Sequence, residues 1–259
     1  MDTDNLFDLK GKAAFIPGGY GGIGEAVARG LAAAGATVTV AGRDGSKADA
    51  LGKELTAAGQ RAFGVAMDAN KVASIREATD KAAQHMGRLD ILVNCIGMNR
   101  EQKIADVTEE QFDEIYRVNL RSAMFLAQQA AKYQVEGKRG GKQVQMLSVR
   151  SMLGMRGYGY SAYCSTKGAL VMLVKQHALE LAANNIQVNG VAPTVVETAM
   201  AGNWKKDPGR WEALLARIPL GRVAQPRDIV GATLFFCAPA SDFVTGQVLY
   251  LDGGITATQ

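Results

Sequence analysis

Cysteine and histidine are scarce in this 259-residue chain, which has three cysteines (Cys95, Cys164, Cys237) and two histidines (His85, His177). The cysteines are odd in number and lack metal-ligand spacing, which excludes a disulfide framework and reads as reduced thiols of a cytoplasmic protein. No metal site is expected, and both histidines fall on predicted helices where surface or core roles suit them. Charge of one sign is also lacking. Lys and Arg number 29 against 25 Asp and Glu, a net +4 spread along the chain, so nothing marks a nucleic-acid partner. The densest basic stretch, Lys132 to Lys142, holds adjacent glycines and reads as a solvated loop. Uncharged stretches are too short to span a bilayer, and the opening residues carry no basic-then-apolar signal pattern, so the expectation is a cytoplasmic protein without a membrane partner. No Pro/Ser-rich linker, low-complexity tract or repeat appears, and a single domain over 1–259 is expected.

The chain does contain a rhythm. Strand-length apolar runs at Lys12 to Pro17, Thr37 to Ala41, Ala62 to Met67, Leu89 to Asn94, Val144 to Leu147, Ile186 to Val191 and Gln247 to Leu251 alternate with helix-length segments. Those segments are Ile23 to Ala34, Ser46 to Ala58, Val72 to Met86, Glu109 to Lys132, Ser161 to Ala183 and Arg227 to Cys237. Thr108 with Gln111 predicts a helix start, as does Pro226. The alternation predicts an α/β fold, a doubly wound parallel sheet of about seven strands with helices on both faces. Only Ala199 to Pro219, with Trp204 and Trp211, breaks the pattern. It reads either as a lid over a site or as an extra surface helix packed by its tryptophans.

Five glycines fall between Gly18 and Gly24, after the first strand and opening the first helix. Glycines let the backbone turn sharply against a pyrophosphate, while free amides and the helix dipole attract its charge. Further on, Tyr163 and Lys167 are four apart on one helical face, a pairing in which an ammonium lowers a phenol pKa for proton transfer.

Taken in order, the glycine run, Leu92 to Gly97, Val118-Asn119-Leu120, Ser148, Tyr163 with Lys167, and Pro193 to Thr198 resemble the short-chain dehydrogenase/reductase family across nearly the whole chain. The resemblance implies a Rossmann fold and a homotetramer. It makes Gly18, Gly22, Ile23 and Gly24 cofactor-binding, with Asp68 at the adenine, Asn94 and Gly97 under the adenosine ribose and Thr198 at the carboxamide. Asn119, Ser148, Tyr163 and Lys167 match the catalytic tetrad, in which Tyr163 is the acid/base. Lys167 lowers its pKa and binds the nicotinamide ribose, Ser148 orients the substrate oxygen, and Asn119 holds a water. Ser151 is the alternative serine. Pro17, Cys95 and Thr194 depart from the family pattern.

Where NAD-preferring members commonly place an acid after the second strand, this chain has Gly42 and then Arg43, which suits a 2′-phosphate. NADP is therefore the favoured cofactor and NAD the alternative. The implied reaction interconverts a secondary alcohol and a ketone. Ser148-Val-Arg150 and the Gly-Tyr-rich loop most resemble polyol and sugar-acid dehydrogenases such as those acting on gluconate, and Arg150 and Arg156 are candidate carboxylate partners. The sequence also resembles 3-oxoacyl carrier-protein reductases, and a catalytically silent dinucleotide binder is the remaining alternative.

Overall fold

In the computed structural model, which describes residues 5–257, strand β1 (Ala13–Pro17) is buried along its whole length. The expected 1–259 unit extends at both ends beyond the described residues. Parallel strands with helices on both faces need apolar side chains on both sides, and β1 supplies them. Ala14 and Ile16 enter one core, while Ala13 and Phe15 enter the other. Strands β2 (Thr37–Gly42), β3 (Ala62–Ala66), β4 (Ile91–Asn94), β5 (Gly141–Met146), β6 (Ile186–Pro193) and β7 (Val248–Leu251) complete a seven-stranded sheet. Its order is β3-β2-β1-β4-β5-β6-β7, and every pairing is parallel.

Helices α1 (Gly22–Ala33), α2 (Gly45–Ala57) and α9 (Pro226–Cys237) pack on one face through Val27, Leu31, Leu51, Ile229 and Phe236. Helices α3 (Val72–Met86) and α5 (Ser122–Gly137) cover the other through Ile75, Ala82, Leu126 and Ala130. Helix α6 (Ser161–Leu181) packs Leu170, Val174 and Ala178 against Val188 and Ala192 of β6. After β3 the chain crosses back past β1 to form β4. The strand order therefore reverses between β1 and β4, which opens a crevice at their carboxyl ends.

The structure differs from the pattern reading in a few places. Strand β5 begins at Gly141 rather than Val144, because Lys142 and Gln143 are buried with partners: Lys142 Nζ meets Asp242 at 2.8 Å, and Gln143 Nε2 meets Gln134 at 2.9 Å. The helix expected from Glu109 starts as α4 (Glu109–Tyr116), with the Thr108 hydroxyl accepting the Gln111 N–H. It then passes through a π turn at Arg117–Arg121 and continues as α5. Pro226 opens α9, where Gln225 and Asp228 cap reciprocally. Within 199–219 lie α7 (Gly202–Lys205) and α8 (Pro208–Leu215), anchored by Trp204, Leu214 and Ile218 against Val223 and Ile255.

Candidate active site

At the crevice the glycine run turns β1 into α1. Gly18 adopts φ +77°, and a Cβ there would stand 2.9 Å from the Cys95 backbone. A Cβ on Gly24 would stand 2.0 Å from the Gly18 carbonyl, so only glycine lets the helix start against the loop. The N-cap, Gly21, offers no side chain to the first amides of α1. Those amides and the helix dipole suit an anionic ligand.

A cleft of about 480 Å³ runs from this loop along the strand ends. Ile23, Gly97 and Thr198 line it at the glycine-loop side together with Ser148, Tyr163 and Lys167. Thr194 Oγ1 and Asn99 Oδ1 are buried without a protein partner, and both residues line the same cleft. Orphaned polar atoms facing a cleft are hydrogen-bonding capacity for a ligand. Together with the glycine cradle, they fit a dinucleotide.

Helix α6 places Tyr163 and Lys167 one turn apart. Lys167 Nζ donates to the Met146 carbonyl at 2.7 Å and lies 5.7 Å from the Tyr163 ring centroid. Burial pulls the Lys167 pKa down to about 8. Burial also raises the Tyr163 pKa, against which the Ser148 hydroxyl and then the Arg150 charge pull it down. Arg150 thus joins Lys167 as a cation near the phenol. Ser148 is an N-cap in extended backbone whose Oγ accepts the Arg150 N–H at 3.2 Å. Ser151 is engaged elsewhere, with its hydroxyl 3.1 Å from Tyr250.

Three of the expected residues meet protein rather than the open cleft. Asn94 donates to Gln145 at 2.9 Å and accepts the Ile96 N–H at 3.1 Å, which shapes the Cys95 to Gly97 backbone. Asn119, in the π turn, clamps Met98 from both sides, accepting its N–H at 2.8 Å and donating to its carbonyl at 2.9 Å, and also donates to Thr166. Asp68 accepts the Asn70 N–H at 3.0 Å and approaches Lys71 at 3.6 Å. Arg43 is exposed at the turn after β2, with no ion-pair partner among the described residues. Among the described residues, no group of His, Cys, Asp or Glu is placed to hold a metal ion, and no helix is long and apolar enough to cross a membrane.

Sequence reasoning missed two features. Tyr20 folds over Gly42, where a Cβ would stand 2.2 Å from its ring, and its hydroxyl accepts the Asp44 N–H at 3.2 Å. The visible signal was a lone aromatic inside a glycine run. Glu101 accepts from the Tyr160 hydroxyl at 2.8 Å and from Arg210 of α8, whose guanidinium lies over Tyr158 and Trp204. Glu101, Trp204 and Arg210 line the cleft. No short-range signal joins residues so far apart in the chain.

A family model described as enoyl-(acyl carrier protein) reductase matches residues 19–256. An uncharacterized oxidoreductase of Mycobacterium tuberculosis is 39% identical, over 97% of this chain and 93% of its own length. Gluconate 5-dehydrogenase of Gluconobacter oxydans is 33% identical, over 100% of each chain. The crystal structure of a gluconate 5-dehydrogenase from Burkholderia cenocepacia in complex with NADP and tartrate superposes with a TM-score of 0.94 at 34% identity, covering 98% of this chain and 99% of that one. Such matches over nearly the full length, on a parallel sheet of this order, show that the chain is an oxidoreductase and belongs to the short-chain dehydrogenase/reductase family.

Proposed function

We propose that the protein catalyses reversible hydride transfer between NADP(H) and the secondary alcohol/ketone pair of a sugar acid or related polyol. The observation that carries this reading is the meeting of Ser148, Tyr163 and Lys167 in one cleft with Ile23, Gly97 and Thr198. The nicotinamide group, when bound, supplies or accepts the hydride. Gly18, Gly22, Ile23, Gly24 and the first amides of α1 would hold its pyrophosphate. Asp68 would meet the adenine, Gly97 the adenosine ribose, Lys167 the nicotinamide ribose and Thr198 the carboxamide. Asn94 acts through the backbone it shapes. Arg43 would pair with the 2′-phosphate, which supports NADP over NAD, as does the relative crystallised with NADP.

In reduction, Tyr163 Oη gives its proton to the substrate oxygen that Ser148 Oγ holds, and takes it back in oxidation. Asn119 has both ends of its amide occupied by Met98, so a relay water near it would rest on the π-turn backbone. The segment 199–219 acts as a lid on the single catalytic domain, because it contributes Trp204 and Arg210 to the cleft. A homotetramer would cover the exposed Met172 and Leu179 of α6. The three free thiols fit a cytoplasmic setting.

The relatives named gluconate 5-dehydrogenase support the sugar-acid reading. A 3-oxoacyl-(acyl-carrier-protein) reductase of Thermotoga maritima, 33% identical over 95% of this chain and 98% of its own length, supports a second, reduction of a 3-oxoacyl thioester. A cofactor-absorbance screen of sugar acids, polyols and 3-oxoacyl thioesters against NADP(H) and NAD(H) decides between them. Turnover of sugar acids with NADP(H) is expected, and a clear preference for the thioester overturns the assignment.

A further inference from the structure

Arg150 is only 6% exposed, yet among the described residues no carboxylate pairs with it. Its Nη1 donates to the Leu153 carbonyl at 3.3 Å and the Gly154 carbonyl at 2.6 Å. These bonds tie down the loop after Ser148 but leave Nε and Nη2 without an acceptor among the described residues. A neutral side chain would tie a loop as well. Burying an uncompensated cation is costly and calls for a counter-charge. Arg150 also lines the cleft beside Tyr163, whose phenol feels its charge.

The surroundings carry further positive charge. Among the described residues the one acid lining the cleft, Glu101, is already engaged by Arg210 and Tyr160. An adjoining recess of about 680 Å³ shares Met155, Trp204 and Arg210 with the cleft and is lined by Arg156 and Arg217, with no acid among its lining residues. The charge of Arg217 reaches Arg150 and, after burial, is the next influence depressing its pKa. The cleft is thus approached past exposed arginines and ends on a buried one.

We propose that Arg150 is the receptor for a carboxylate of the substrate, with Arg156 and Arg217 forming the positive mouth through which the anion enters. Two parallel N–H donors on one edge of a planar guanidinium match a carboxylate in a bidentate fork, and one buried cation balances one carboxylate charge. Of the two arginines singled out in the sequence, Arg150 is buried to bind and Arg156 is exposed to steer. This rests on the reading that the substrate lies beside Tyr163, and it adds the atom group by which the substrate is recognised and held in register.

The test compares D-gluconate with D-gluconamide, which has the same chain without the charge, on the NADP-loaded protein. Binding is measured by calorimetry in the Tyr163→Phe variant, so that no chemistry intervenes. Gluconate is expected to bind about 10- to 100-fold more tightly than the amide. Adding Arg150→Met should bring the two within about threefold, and Arg150→Lys should keep part of the preference. An arginine that serves only the loop would weaken both ligands alike and leave their ratio unchanged, which overturns the proposal, as does an absence of preference before Arg150 is altered. Preference for the anion without turnover of any sugar acid would overturn the proposed reaction but uphold Arg150. Turnover that ignores the charge would do the reverse.

Discussion

The Ser151 and Tyr250 hydroxyls lie 3.1 Å apart, a contact that engages Ser151 with β7, while Ser148 lines the cleft with Tyr163 and Lys167. The two serines therefore predict opposite outcomes. Ser148→Ala removes a donor to the reacting oxygen and should lower kcat by about 100-fold or more. Ser151→Ala loses one half-buried hydroxyl contact and should leave kcat within about threefold. Steady-state kinetics on any substrate found in the screen checks both, and a large loss in the Ser151 variant would transfer the assignment.

Tyr163→Phe should reduce turnover by about 1,000-fold or more while NADP binding, followed by fluorescence, changes little, because only the proton-transferring oxygen is lost. Retention of most of the rate in this variant would rule out Tyr163 as the acid/base.

Lys167 carries a pH signature in the protein without cofactor. Its pKa is about 8 when folded, against an ordinary value of 10.5, because burial disfavours the charged form. Between these values the unfolded chain holds a proton that the folded one has released, so folding stability rises with pH across this window. Below pH 8 the penalty is fully present, on the order of 3 kcal/mol. Lys167→Met should therefore melt above the wild-type protein at pH 7, and the gap should close as pH rises from 8 towards 10.5. A gap constant with pH would mean that the folded lysine holds its proton as firmly as the unfolded one, with the hydrogen bond to Met146 offsetting the burial.

The sheet was legible because most strands are apolar runs separated by helix-length segments. The reading failed where polar side chains are buried with partners distant in sequence. Lys142 finds Asp242 a hundred residues on, and no local pattern announces such a match. The positions of Tyr163, Lys167 and Ser148 followed from ordered motifs, whereas their electrostatics did not. That Arg150 joins Lys167 near the tyrosine depends on how the loop after β5 folds it back. The π turn was equally hidden, since Arg117 to Arg121 continue a helix by composition and its distortion shows only where Asn119 meets Met98.

Tyr20 and Gly42 bear jointly on cofactor choice. Arg43→Ala should weaken NADP binding by about 10- to 100-fold and NAD binding by less than about threefold, since only NADP carries the phosphate. Placing an acid at position 42 to favour NAD is obstructed, because a Cβ there would stand 2.2 Å from the Tyr20 ring. Gly42→Asp alone should displace that ring, break its bond to the Asp44 N–H and lower the melting temperature. Combined with Tyr20→Ser, the same change should be tolerated and should shift preference towards NAD. The coupling is non-additive because the two side chains compete for one space. Additive effects in the double variant would show that the ring yields at no cost.

Glu101 would make the closing contact of the proposed lid. Its carboxylate accepts from Tyr160 and from Arg210, so one side chain links the loop after β4, the loop before α6 and helix α8. Arg210 is also held over the Tyr158 and Trp204 rings, which retain it when the ion pair is weakened. Glu101→Gln should therefore loosen rather than detach the segment. Amide hydrogen exchange across α7 and α8 should quicken by about tenfold, the equivalent of one charged hydrogen bond, while α1 and the sheet are unaffected. If release of product through this lid limits turnover, kcat should rise together with KM, because opening serves exit and entry alike. Unchanged exchange in α8 would mean that the Trp204 cluster with Leu214 and Ile218 holds the segment by itself, leaving Glu101 as a wall of the cleft and no latch.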